Sequence, residues 1–278
     1  MNQRAISLTR IRLIAANTLL EAARQKLFGF LVLLAVALVL AAQWFRDFNF
    51  GAPELKFLAD FGFGAMAFFG AALTIAATAQ LFFSEMENRT VLTLLAKPVG
   101  RVDFILGKFL GVVLVAAIFC ALLTALLAAV LWWREGALID ETRDAFPNGR
   151  LLHYGAIFAA GLVQWSKLAV LTAFTLLIAS FAQSQLYTVI AGFFVLVICH
   201  LQYLAQETYA RAASTIGQTI GGVIGLLFPN FQLFNLADEV GAGGVLAWDR
   251  VWRVELYALG YVAVACALAV YLFRQREI

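Results

Sequence analysis

An all-α membrane protein with six transmembrane helices is the fold class this sequence predicts, on three observations. The 278-residue chain is 63% hydrophobic and only 13% charged, with a mean hydropathy of +0.88, whereas a water-soluble domain is about half apolar and a quarter charged. Six runs of 18 residues or more carry at most one charge each, which is the length a helix needs to cross the ~30 Å hydrocarbon core. No segment shows the ~10-residue alternation of transmembrane β-strands. A backbone in lipid must satisfy its own polar groups, so helices are the expected solution. These observations exclude a soluble enzyme, a disordered chain and a nucleic-acid-binding module. One membrane domain, residues 1–278, is predicted.

The elements follow in order. Residues 1–26 interleave Ile6, Leu13, Ile14 and Leu20 with Arg4, Arg10, Arg12, Glu21 and Arg24, the pattern of an amphipathic helix lying in the membrane interface. The spans are Leu27 to Trp44, Phe61 to Phe83, Phe109 to Trp133, Tyr154 to Phe181, Leu186 to Ala205 and Leu256 to Phe273. Lys167, with Gln164 one turn before it, interrupts the fourth and is the only formal charge within these runs. Both are candidate pathway residues, since an ionisable group in a span is a functional hypothesis by default. Ala212 to Phe228 is uncharged but only weakly apolar, and Pro229 and Asn230 break it. It reads as a re-entrant or interfacial helix within the extracytoplasmic segment 206–255. Its Gly217, Gly221 and Gly225 recur every four residues, a spacing that lets helices approach closely. Cys120, Cys199 and Cys266 all sit inside apolar runs and read as packing residues.

Charge sets the sidedness. Segments 1–26, 84–108, 182–185 and 274–278 carry 11 basic and 5 acidic residues, net +6. Segments 45–60, 134–153 and 206–255 carry 8 basic and 12 acidic residues, net −4. A basic excess marks the cytoplasmic side, so both termini and residues 84–108 are expected there, in a multi-pass protein of the cell inner membrane.

Enzyme chemistry does not assemble. His153 and His200 are the only histidines, too few and too separated for a zinc or triad motif. Gly100 and Gly107-Lys108 resemble a phosphate loop only superficially: the spacing is too long and Phe109 replaces the required Ser or Thr. The spans hold no Met or Cys/His cluster that would ligate a soft metal.

The segment from Ser84 to Lys108 carries the functional signal. Ser84 and Glu87 have capping-box spacing, expected to start a short helix. Glu85 and Arg89 stand four apart on one face. Val91, Leu92, Leu94 and Leu95 form an apolar ridge that Lys97-Pro98 ends. A ridge flanked by charges suits a partner's groove.

This stretch resembles the signature of ABC-2-type transporter permeases: an acidic pair, Arg89-Thr90, a leucine-rich turn, Lys97-Pro98, Arg101, and Gly107-Lys108 leading into a span. It is most similar to the NosY-like branch, a permease component associated with multicopper-enzyme maturation. Glu21 to Lys26 and Phe228 to Leu236 fit that branch as well. The resemblance implies a translocation subunit, an exporter, that works as a homodimer with a second permease copy in the lipid bilayer. It implies separate cytoplasmic ABC ATPase subunits that use ATP and Mg, with no cofactor on this chain. The helix between spans two and three would be the coupling helix, with Ser84, Glu85, Glu87, Arg89, Thr90, Leu94, Lys97, Pro98 and Arg101 contacting the ATPase. Two other readings stand beside it: a membrane assembly or anchoring factor, and an ion-coupled secondary carrier, which would use membrane-embedded acids or a charge relay.

Overall fold

The computed structural model describes residues 7–44, 53–87, 100–141, 150–210, 215–236, 240 and 247–276. Among these residues the order is α1 (Leu8–Arg24), α2 (Lys26–Ala41), α3 (Glu54–Glu87), α4 (Arg101–Glu141), α5 (Tyr154–Phe181), α6 (Gln185–Ala210), α7 (Thr215–Leu227), a 3-10 helix (Phe231–Phe234) and α8 (Trp248–Gln275). The helices α3, α4, α5, α6 and α8 are long and apolar enough to cross a membrane. A sixth crossing is reached if α1 and α2 are taken together, with a 68° bend between them. That bend falls at Gln25, whose backbone is extended, where an amphipathic sequence gives way to the uniformly apolar run that opens at Leu27.

The helices outrun the apolar stretches that predict them. The fourth run and α5 coincide, but α4 spans 41 residues, roughly 60 Å at 1.5 Å per residue. A helix does not stop where lipid does. The Asp103 carboxylate accepts the Gly100 N–H at 3.4 Å and caps α4 eight residues before its apolar run opens. Lys167 is therefore not the only charge in these helices: α3 includes Lys56 and Asp60, α4 includes Arg134 and Glu135, and α8 includes Glu255.

Two ends emerge. Residues 7–26, 84–87, 100–108, 182–185 and 274–276, the described parts of the segments grouped by their basic excess, gather at one end. Arg101 at the start of α4 reaches the Phe273 carbonyl near the end of α8 at 3.3 Å, and Arg276 reaches the Ala179 carbonyl at 3.1 Å. At the opposite end the buried Glu135 carboxylate accepts the Leu151 and Leu152 N–H groups at 2.7 and 2.9 Å and the Tyr154 hydroxyl at 2.6 Å. It thereby satisfies the entry into α5.

The core lies between α3, α4 and α5, with α8 against α5 and α1 along the first half of α4. A Cβ at Gly107 would come within 2.6 Å of Ile14, and one at Gly111 within 2.5 Å of Thr18. These two glycines let α1 settle on α4. At the basic end Phe82, Phe104 and Phe273 join α3, α4 and α8, with ring centroids 5.5 to 6.0 Å apart. Helix α7 packs against α6, and its last turn meets α8. There the Tyr261 hydroxyl lies 3.2 Å from the Gly225 carbonyl and 3.1 Å from that of Leu226, about 21 Å from the Gln275 end of α8.

Candidate functional site

At the basic end, Lys108 is almost completely buried (2% exposed). Its Nζ sits 2.6 Å from the Glu85 carboxylate of α3 and 3.9 Å from that of Glu21 in α1. The Ser84 hydroxyl donates to Glu21 at 3.2 Å. Asp103 holds the start of α1, accepting the Ser7 N–H at 3.2 Å, with Arg10 at 3.7 Å. A buried ammonium needs its carboxylate partners to offset desolvation. Lys108 therefore ties α1, α3 and α4 together at this end.

Several predicted contact residues fall on this foot. Ser84 does not start a helix: α3 runs unbroken through Glu87, and the Ser84 hydroxyl bonds back to the Leu81 carbonyl at 3.4 Å, an ordinary mid-helix arrangement. Glu85 faces Lys108, inside the protein. Glu87 is the last residue of α3. Arg101 is spent on α8, donating to the carbonyls of Phe273 and Arg274. Arg89, Thr90, Leu94, Lys97 and Pro98 lie outside the described residues, and so does most of the predicted short helix. Gly217 and Gly221 fall within α7, and Gly225 contributes its carbonyl to Tyr261. Close helix approaches occur at Gly62, Gly70, Gly107, Gly111, Gly161 and Gly192, where an added Cβ would come within 3 Å of a facing side chain.

The predicted pathway pair comes together inside the helix bundle. Gln164 and Lys167, one turn apart on α5, line a cavity of about 290 Å³ with Asp60, Phe63, His200 and Phe231. Lys167 Nζ is 3.1 Å from His200 Nε2 and 5.4 Å from the centre of the Phe231 ring. The ring of Phe231 stands edge-on to His200, and Asn230 fixes that turn by accepting the Gln232 N–H at 2.9 Å. Asp60 and His200 escape a reading by sequence because tertiary packing brings them here. One signal was available: Asp60, Phe63, Gly64 and Ala67 keep a helical spacing that places an acid and two small residues on one face. A separate polar link joins α5 to α8, where the Ser166 hydroxyl donates to Glu255 at 2.6 Å. Among the described residues, no group of three or more His, Cys, Asp or Glu side chains converges to hold a metal ion.

Apolar helices that enclose a polar cavity, above an ion-paired base, make this a multi-pass membrane protein. Its family follows from comparison: the family model for the ABC-2 family transporter protein matches residues 17–278, and the chain belongs to that family. Its members are membrane subunits of transporters, generally non-catalytic, that work with ABC ATPase partners. No curated protein matches the chain.

Proposed function

We propose that this chain is the permease subunit of an ATP-driven exporter, of the NosY-like kind, which works as a pair of identical copies with two separate ATPase chains. Residues 84–97 form the coupling segment. The observation that carries this reading is the buried Lys108 ion pair beside the Phe82, Phe104 and Phe273 rings. Together they bind the feet of α3 and α4 into one unit, and the segment between those feet is the part an ATPase would push. In this division Arg89, Thr90, Leu94 and Lys97 meet the ATPase. Glu85 and Arg101 pass the displacement inward, Glu85 through Lys108 to α1 and Arg101 to the end of α8. Helix α7 acts as a re-entrant element, entering beside α6 and ending at mid-depth next to the cavity of Lys167 and Gln164, which belongs to the pathway.

Because Glu85 is committed to Lys108, replacing it would confound folding with docking, and Arg89 with Lys97 is the cleaner probe. A tagged chain purified from its native membrane should carry an ABC ATPase in stoichiometric amount. Arg89→Ala with Lys97→Ala should lose it, while the exposed Asp249/Arg253 pair of α8 can be replaced by alanines without effect. Equal retention by both variants would remove the coupling assignment. One observation favours a second reading, an ion-coupled carrier: Asp60, Lys167 and His200 line one cavity. Transport that follows an ion gradient and ignores ATP would select it.

A further inference from the structure

We infer that the Lys167 cavity is a binding site for the acidic head, a phosphate or carboxylate, of a single-chain amphiphile whose tail lies in the adjoining apolar groove. The cavity is built for negative charge. Lys167 and Gln164 are each only 7% exposed. The Nδ1 of His200 lies 2.9 Å from the Leu196 carbonyl, and a carbonyl only accepts. The proton therefore sits on Nδ1 and leaves Nε2 as an acceptor for Lys167. Lys167 thus spends one of its three N–H groups on a neutral imidazole and leans on a neutral ring. Among the described residues, no carboxylate forms an ion pair with it. The Gln164 Nε2, on the same face one turn away, is buried with no hydrogen-bond partner. Two adjacent buried donors, one of them charged, are costly when unanswered. An anion in the cavity answers both. Gln232 and Asn235 line the same space.

The groove identifies what carries the anion. A second cavity of about 520 Å³ is lined by Leu38, Phe57, Phe61, Phe68 and Phe69 and shares Asp60 and Gly64 with the first. At Gly64 nothing lies within 4 Å of where a Cβ would be, so no side chain fills the space beside this shared residue. A polar chamber beside an aromatic trough accepts a molecule with one end of each kind, and the two volumes match the size range of small-molecule sites. Asp60 on the shared wall disfavours an anion at that point, so the acidic head goes to the Lys167 end. That such a molecule is the cargo rests on the permease reading; that it binds does not.

The test uses the purified full chain in a nonionic maltoside detergent, without any ATPase. Thermal unfolding is followed with added dodecyl phosphate, dodecyltrimethylammonium or inorganic phosphate. Dodecyl phosphate should raise the unfolding temperature saturably, and the other two should not. Loss of a charge-assisted bond should raise the half-saturating concentration by about tenfold or more in Lys167→Gln, and loss of a neutral one by a smaller factor in Gln164→Leu. If Lys167→Gln fails to elute as a folded species, Gln164→Leu and the three-ligand comparison on the unaltered chain still decide. Stabilisation by the ammonium amphiphile to the same degree would overturn the proposal, as would an equal effect of inorganic phosphate alone. So would an unchanged response in folded variants. A chain that binds dodecyl phosphate but recruits no ATPase would overturn the permease reading alone; a chain that recruits one but binds nothing would overturn this proposal alone.

Discussion

Lys108 shows how a single charge can organise a membrane protein's base. It sits on α4 among apolar neighbours, and only Glu85 and Glu21 make its burial tolerable. Removing one member of such a pair strands the other. Lys108→Met should therefore cost about 3–5 kcal/mol of stability, read as a lower unfolding temperature in detergent. Lys108→Met combined with Glu85→Gln should recover much of that loss, because the carboxylate that remains, Glu21, is part-exposed and keeps the Ser84 hydroxyl as a donor. An additive double variant would show that the two groups do not interact. Lys108 was readable beforehand only as part of a motif leading into a span. Its partners come from two other helices, one of them 87 positions earlier in the chain, and no local spacing announces them. Lys167 and Gln164 were easier, because a polar pair inside a 28-residue apolar run stands out, whereas His200 and Asp60 join them only through packing.

Among the elements, α1 is the least obvious. Its arginines and leucines suggest a helix resting on the membrane surface, yet its Ile11, Ala15, Thr18 and Ala22 are buried, and α4 supplies the opposing face. Leu8, Leu13 and Leu20 stay exposed on the other side. The seam depends on the missing side chains at Gly107 and Gly111. Gly111→Ala would press a methyl into Thr18, with the Ala15 carbonyl at 3.0 Å, and overpacking of this kind costs about 1–3 kcal/mol. Gly222→Ala in α7 meets open space and should be neutral or slightly stabilising, since alanine is the better helix former by about 1 kcal/mol. Equal unfolding temperatures for the two variants would refute the close seam. The four-residue glycine spacing was visible at both places in the sequence. What such a stripe packs against depends on the helix that lies opposite, and that is not written locally. Helix boundaries were similarly half visible. Apolar runs locate the helix centres, but α3 and α4 continue through charged turns whose side chains find partners on neighbouring helices, Lys108 with Glu85 and Arg134 with Glu54, and α8 begins and ends in charged turns of its own.

At the scale of the molecule, the charge split and the architecture agree that four separated segments share one end. Absolute orientation is a matter for labelling. Cysteines introduced at Asn88 and Glu277 should react only from the cytoplasmic side, and the native Cys120, Cys199 and Cys266 are buried and give little background. Reaction from outside at either position would invert the assignment and take the ATPase off the proposed surface. The coupling claim itself is tested most directly by ATP turnover of the chain reconstituted with its ATPase in proteoliposomes. The chain alone should hydrolyse no ATP, and the complex should show stimulated hydrolysis. That stimulation should be lost in Arg89→Ala with Lys97→Ala and fully retained in Asp249→Ala with Arg253→Ala. Undiminished turnover in the Arg89 and Lys97 variant, with the ATPase still bound, would contradict the coupling claim.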